Sequence, residues 1–469
     1  MKRLSRRSFL AASAAMATVP AFAAPRRNPA PEPSPKTPDR TPEVPRSGNV
    51  DAVVVGAGAA GIAAARRLNA AGKRFVLVEA ADQVGGRCIT DTRTFGVPYD
   101  RGAHWIYSAD INPVARLASQ TGLNLYTAPP GQRVRIGRRY AREGEMEDFL
   151  AGIVRANTAI TDAARKSDVA CSQVLPKDLG DWQQSIEFVL GPYGCGKDLS
   201  EVSTADLARS PDRDNSAFCR QGFGTLLAKL AAGLPLSLAT PVTRIGWGGR
   251  AAIEVETAKG QYLARAVIVT ASTGVLGAGK IKFTPDLPKR NLDSIGRLKL
   301  GSHDHVALEL PGNPLGLRAD ELVYEKSESK QTAAIFANVS GSTLCIVDIG
   351  GNFGRDLSAK GEGAMIDFAI GWLSALYGID LKTMVKRRHA TRWNEEPWVL
   401  GATSAASPGA QSARRILMEP LNNRIFFAGE AAHETLWGTV GGAWESGDRA
   451  ADAVVRLLGG PSGGAGRRG

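Results

Sequence analysis

Three glycines and one acid carry the first chemical signal in this 469-residue sequence. Gly56-Ala57-Gly58-Ala59-Ala60-Gly61 follows a β-forming run, Val50-Asp51-Ala52-Val53-Val54-Val55, and leads into a helix-forming stretch, Ile62 to Leu68. A second apolar run, Phe75-Val76-Leu77-Val78, ends in Glu79 and Ala80, with Glu79 placed 18 residues after Gly61. Gly56 permits a tight turn, Gly58 lets a pyrophosphate approach the backbone, and Gly61 lets helix and strand pack closely. The helix N-terminus, with Ala60 in its first turn, then offers free N–H groups to the phosphates. Glu79 is positioned to accept both hydroxyls of a ribose, and its charge disfavours a 2′-phosphate. The chemistry is therefore binding of an adenine dinucleotide. The pattern does not distinguish a nicotinamide from a flavin dinucleotide.

A strand–turn–helix–strand unit of this kind needs a parallel sheet with helices on its faces. The composition allows one. With 43% hydrophobic and 22% charged residues, the chain has material for a large core, and wholly disordered and fibrous classes are excluded. The net charge of +12 raises nucleic acid or a membrane surface as a partner. Its distribution argues otherwise. Residues 1–47 hold nine basic residues against three acidic ones, half of the excess, and Arg467 and Arg468 lie in a Gly-rich tail. The remaining +4 is spread over more than 400 residues with no basic stripe interleaved with aromatics, so no nucleic-acid site is expected.

The N-terminal charge reads as an address. Arg6-Arg7 precedes Ser8-Phe9-Leu10 and a weakly hydrophobic run from Ala11 to Ala24, with Ala21-Phe22-Ala23 as a cleavage pattern. Residues 1–24 are read as a twin-arginine-type signal peptide; an ordinary secretory signal is the alternative. Both imply contact with export machinery and a periplasmic or secreted protein. Residues 25–47 are read as a Pro-rich linker, with eight prolines in positions 25–45, and 461–469 as a flexible tail. The five cysteines are far apart and form no C-x-x-C, so neither a disulfide scaffold nor a zinc site is read, and no metal site is expected. One bridge stays open as a possibility in an oxidising compartment.

Further motifs occur in order along the chain. Gly85-Gly86-Arg87 follows Glu79, and Tyr99-Asp100-Arg101-Gly102-Ala103-His104-Trp105-Ile106 comes next. Gln221-Gly222-Phe223-Gly224-Thr225-Leu226-Leu227 opens a helix, Val242-Thr243-Arg244-Ile245 forms a strand, and Ala266-Val267-Ile268-Val269-Thr270 forms another. Near the C-terminus, Arg424 to Phe427 is a strand ending in Ala428-Gly429-Glu430. Thr439-Val440-Gly441-Gly442-Ala443-Trp444 then leads into a helix. This series resembles the flavin-containing amine oxidase superfamily (monoamine, polyamine and L-amino-acid oxidases) over almost all of residues 50–458.

The resemblance implies FAD. It places Arg87 at the FAD phosphates, Gly102 to Trp105 and Gly429-Glu430 at the cofactor, and the backbone of Val242 at the adenine. It puts Thr439, Val440 and Ala443 beside the flavin ring. There a helix N-terminus offers N–H groups to the negative charge of the reduced ring.

Two departures from the family stand out. Many members carry a lysine near flavin N5; in Leu300-Gly301-Ser302-His303-Asp304-His305-Val306-Ala307-Leu308 that position falls on His305, the candidate catalytic residue. The two tyrosines that line the substrate side in monoamine oxidases fall on Thr403 and Thr439. Trp398, Trp437 and Trp444 are candidates to supply aromatic surface in their place, with packing as the alternative for each; Trp398 and Trp437 join Thr403 as the pocket residues. The cysteine that tethers flavin covalently falls on Ala402, so non-covalent FAD is expected.

The expected fold is α/β, a Rossmann-type FAD-binding domain interleaved with an α+β substrate domain. The FAD-binding domain comprises 48–98, 215–295 and 415–460, and the substrate domain 99–214 and 296–414. The expected function, on the resemblance, is oxidation of a small-molecule amine at its C–N bond. Hydride passes to flavin N5, an imine forms and hydrolyses, and oxygen reoxidises the flavin. Alternatives are an amine dehydrogenase serving a periplasmic electron carrier, or a redox-inert FAD-binding protein; desaturation of a carotenoid-like or porphyrinogen substrate is a more distant one.

Overall fold

A central strand, Gly48–Val55, lies between two parallel partners, with Val54 opposite both Ile268 and Leu77. In the computed structural model, which describes residues 47–210, 215–249 and 252–459, its side chains from Ala52 to Val55 are buried on both faces. Ala52 and Val54 enter one core with Phe75, Leu77, Ala266 and Ile268. Val53 and Val55 enter the other with Val76, Val78, Val267 and Val269. Burial on both faces is why these strands read as apolar runs rather than alternations. The signal peptide, the linker up to residue 46 and the tail lie outside the described residues.

The first sheet runs Lys282–Thr284, Val242–Gly246, Ile253–Thr257, Gly260–Val269, Gly48–Val55, Phe75–Val78, Leu236–Ser237. The long strand Gly260–Val269 serves two partners along one edge. Its first half pairs antiparallel with Ile253–Thr257, and Val267 to Val269 pair in parallel with Ile425–Phe427. Helices Ala59–Ala70, Phe223–Ala231 and Val440–Leu457 cover one face. Helices Lys289–Arg297 and Ala413–Met418 pack on the other. The helices Ala59–Ala70 and Val440–Leu457 approach so closely that a Cβ on Gly447 would lie 2.0 Å from the Ala60 carbonyl oxygen.

The second sheet runs Arg388–Ala390, His303–Glu309, Leu344–Gly350, Ala334–Ala337, Glu321–Glu325, Arg133–Ile136, Arg139–Tyr140. Here residues do alternate. Val306, Leu308, Ile335, Val347 and Ile349 pack under helix Glu362–Tyr377. Ala307, Phe336, Leu344 and Ile346 face a core shared with helices Glu143–Ala164 and Gln183–Phe188.

The chain crosses repeatedly between the sheets. The first takes strands from 48–78, 236–284 and 425–427; the second takes them from 133–140, 303–350 and 388–390. The architecture is thus α/β with two sheets in a two-domain arrangement. All five cysteines are buried free thiols, so the bridge left open by the sequence does not form.

Candidate functional site

A cavity of ≈690 Å³ opens between the C-terminal rim of the first sheet and one face of the second. Its size falls in the range of about 300–1,000 Å³ typical of small-molecule sites. Four parallel strands deliver their ends to it. Gly56 follows Val55, Glu79 follows Val78, Thr270 follows Val269, and Gly429 lies just beyond Phe427. This is the rim at which open α/β sheets bind ligands. Two helix N-termini, at Ala59-Ala60 and at Val440, line the same space. Their first-turn N–H groups and dipoles favour anionic groups there.

The glycine turn is held from two sides. Gly56 adopts φ +101°, and Thr270 Oγ1 donates to the carbonyls of Val55 (2.8 Å) and Gly56 (3.1 Å). A Cβ on Gly61 would stand 1.8 Å from the Gly56 carbonyl oxygen, so the turn closes only over glycine. Glu79 Oε2 accepts from the Ala57 N–H at 2.6 Å and Oε1 from the Ala81 N–H at 2.9 Å. Burial pushes its pKa up, against those backbone donors. Gly58, Ala60, Ala80, Gly86 and Val242 also line the cavity; Gly61 shapes it from behind.

Arg87 lines the cavity as well, with its Nη1 donating to Glu430 Oε1 at 2.8 Å and to the Ala402 carbonyl at 2.5 Å. Glu430 is buried and also accepts from Ser404 Oγ (2.7 Å) and the Gly438 N–H (2.8 Å). Burial raises its pKa, but Arg87, Arg414 and the Ser404 hydroxyl outweigh it, so the carboxylate stays ionised. Gly102, Ala103, His104 and Trp105 form another stretch of wall. His104 is fixed by Asp100, 2.7 Å from its Nδ1, and stacks on Phe218 at 4.5 Å between ring centroids. Asp100 accepts from the Phe223 N–H (3.0 Å) too, tying this wall to the start of helix Phe223–Ala231.

The second sheet contributes side chains of one face. Register sets His305 opposite Asp348, and Phe336 opposite Ile346. With His303 two residues earlier, all five line the cavity. His305 Nδ1 lies 3.2 Å from the Asp100 carbonyl. Burial lowers the His305 pKa, with Asp348 pulling the other way. His303, His305 and Asp348 bring three metal-competent ligand atoms within 4.8 Å of one another. Sequence reasoning missed this group, because only strand register brings Asp348 beside an H-x-H pair.

Of the proposed pocket residues, Thr403 lines the cavity with its Oγ1 donating to the Cys195 carbonyl at 2.7 Å. Thr439 caps its helix, accepting from the Gly442 N–H at 2.9 Å, and it lines the cavity with Val440 and Ala443. Trp398 lines the cavity and is 41% exposed. Trp437 does not line it. Its indole is buried, donates to the Asp206 carbonyl (3.3 Å), and lies under the Arg414 guanidinium. The buried Arg414–Asp206 ion pair fixes it there, so its role is packing. The aromatic wall comes instead from Trp105, Tyr107, Tyr193, Phe336 and Trp393. Apart from Trp105, the sequence reading did not place these in the site, since they approach from separate elements and share no local motif.

The cradle that would reject Cβ atoms at Gly56 and Gly61, the helix N-termini and the partly satisfied Glu79 fit a dinucleotide cofactor. The comparisons with known proteins agree. Residues 59–455 match the family model of flavin-containing amine oxidoreductases. Human lysine-specific histone demethylase 2 is 27% identical over 87% of this chain and 53% of its own length. Polyamine oxidase 4 of Oryza sativa subsp. japonica is 27% identical over 87% of this chain and 88% of its own. The chain thus spans about half the length of the demethylases it matches. Cyclohexylamine oxidase from Brevibacterium oxydans IH-35A shares the fold, with a TM-score of 0.72 at 20% identity over 87% of this chain and 99% of that one. Putrescine oxidase bound to putrescine does so at a TM-score of 0.73 and 19% identity over the same shares. With a family model covering most of its length, this chain belongs to the flavin-containing amine oxidoreductases, and membership implies a flavin cofactor.

Proposed function

We propose that this protein is an FAD-dependent oxidoreductase that oxidises a small-molecule amine at its C–N bond. Bound flavin supplies the hydride acceptor at N5, oxygen is the terminal acceptor, and the imine product hydrolyses. The observation that carries the reading is one cavity that joins a dinucleotide cradle at the rim of one sheet to aromatic side chains gathered around one face of the other. In this reading Gly56, Gly58, Ala60, Glu79, Ala80, Gly86, Arg87 and Val242 bind the cofactor. Gly102 to Trp105, Gly429, Glu430, Thr439, Val440 and Ala443 complete its seat. Trp105, Phe336 and Trp393 orient the substrate and exclude water. His305, neutral through burial, offers a site for positioning a proton or a water.

With Ala402 where the tethered members carry cysteine, FAD is held non-covalently; flavin remaining with acid-precipitated protein would contradict this. The FAD-binding segments are 48–98, 215–295 and 415–460. Arg6-Arg7 and the following apolar run support export by the twin-arginine route. Retention of Arg6→Lys/Arg7→Lys protein in the cytoplasmic fraction tests it.

The central test is anaerobic mixing of the flavoprotein with a panel of amines while the oxidised-flavin absorbance is followed. Bleaching by an amine supports the reading, and no bleaching by any of them sinks it. Readmitting oxygen, or adding an artificial acceptor instead, then separates an oxidase from a dehydrogenase.

A further inference from the structure

His305 presents a conflict of lone pairs. Its Nδ1 faces the Asp100 carbonyl oxygen at 3.2 Å, and a carbonyl only accepts, so Nδ1 carries the hydrogen. In the neutral ring, Nε2 then holds a lone pair, and it lies 3.3 Å from Asp348 Oδ1. His303 Nε2 approaches the same oxygen at 3.4 Å. Asp348 is 6% exposed, and its Oδ1 accepts no hydrogen bond. Neither nitrogen donates a hydrogen bond to that oxygen, so the buried carboxylate oxygen has two imidazole nitrogens beside it and no hydrogen between, an arrangement that a shared cation satisfies.

The two histidine–carboxylate distances suit a metal ion, and the three ligand atoms lie within 4.8 Å of one another, so a small turn of the histidine rings closes the shell. Two ligand atoms each about 2.1 Å from one tetrahedral ion stand about 3.4 Å apart. Two imidazole nitrogens and one carboxylate oxygen form a borderline donor set of the kind that takes zinc and neighbouring transition ions. The contact from Nδ1 to a carbonyl fixes the tautomer and ring orientation that a metal-binding histidine needs. All three residues line the cavity. We propose that His303 Nε2, His305 Nε2 and Asp348 Oδ1 form a binding site for a divalent transition-metal cation of the zinc class. Its fourth position opens to the cavity, where water completes the shell. The proposal does not depend on amine oxidation, and its failure leaves that reading intact.

The test uses the untagged, chelator-treated flavoprotein, titrated calorimetrically with Zn²⁺ alone. One equivalent is expected to bind per chain. Asp348→Asn and His303→Gln should each weaken binding at least about tenfold. His433→Gln, at a histidine on another element, should leave it unchanged. Flavin content shows that each variant is folded, and His303, whose side chain makes no hydrogen bond among the described residues, is the gentler change. Absence of one-to-one binding, or binding that survives both Asp348→Asn and His303→Gln in flavin-loaded protein, overturns the proposal.

Discussion

The two walls of the cavity are built from different materials. The first sheet offers backbone, with turns, helix N-termini and positions where no Cβ fits, plus one carboxylate that bonds to the backbone beside it. The second offers side chains, with His303, His305, Asp348 and Phe336 projecting from one face of a mixed sheet and further aromatic rings brought in from flanking segments. A backbone cradle must hold its shape whatever passes through it, so its residues are small and its tolerance for change is low. A side-chain wall can change its chemistry one residue at a time while the pleat stays the same. The first suits an invariant cofactor and the second a substrate.

The comparison is tested most severely at Gly61. Gly61→Ala drives a Cβ into the Gly56 carbonyl oxygen, which costs about 2 kcal/mol or more. Thermal unfolding at a lower temperature and a loss of bound flavin are expected; full flavin content would break the picture of a rigid cradle. Glu79→Ala removes the carboxylate that bonds to the Ala57 and Ala81 N–H groups and, in the proposed function, to the ribose. Flavin affinity, measured by fluorescence on dilution, should fall about 10–100-fold.

On the second wall the expectation reverses. His305→Ala should keep its flavin while reoxidation by oxygen slows at least about tenfold, read by stopped flow. An unchanged rate removes His305 from that role, and lost flavin would show that the walls are not separable.

Acid stability sharpens the same point. Burial lowers the His305 pKa, so the unfolded chain binds the proton more readily than the folded one. The stability tied to keeping this ring neutral is therefore whole above about pH 6.5 and is lost as pH falls through the folded value. His389 and His433 act in the same direction. Asp304, raised to about 6 chiefly by burial, acts oppositely: its share is whole below about pH 4 and is lost as pH rises towards 6. His305→Gln should make the unfolding temperature fall less steeply below about pH 6.5 than in the parent. An identical slope would mean that the ring does not titrate with folding. The smallest effect belongs to Trp398→Ala. At 41% exposure its loss should cost no more than about 1–2 kcal/mol of stability, so a rise in KM for an amine in protein that keeps its fold reads substrate contact.

These expectations also mark how far residues could be read without coordinates. The segment from Val50 to Glu79 was legible because each of its requirements is local. Turn, helix start and strand end fall within 30 residues, and the glycine spacing is set by backbone geometry. The apolar runs of Ala334–Ala337 and Leu344–Gly350 were legible as runs. What they place in the cavity was not. Trp437 looked like the other tryptophans, yet the Arg414–Asp206 pair holds it in the core. Tyr193 reaches the cavity from a helical segment that carries no motif, and Trp393 from the stretch in which Trp398 is the sequence candidate instead.

The sequence by itself determined the glycine cradle at the end of the first strand, because short-range sterics allow few ways to turn from a strand end into a closely packed helix start. Tertiary structure alone decided the opposite wall. Asp348 faces His305 because of the register between two strands some 40 residues apart, and a slip of one residue would turn it to the opposite face. That register is set by cores on both sides of the sheet, and no local stretch of the chain encodes it.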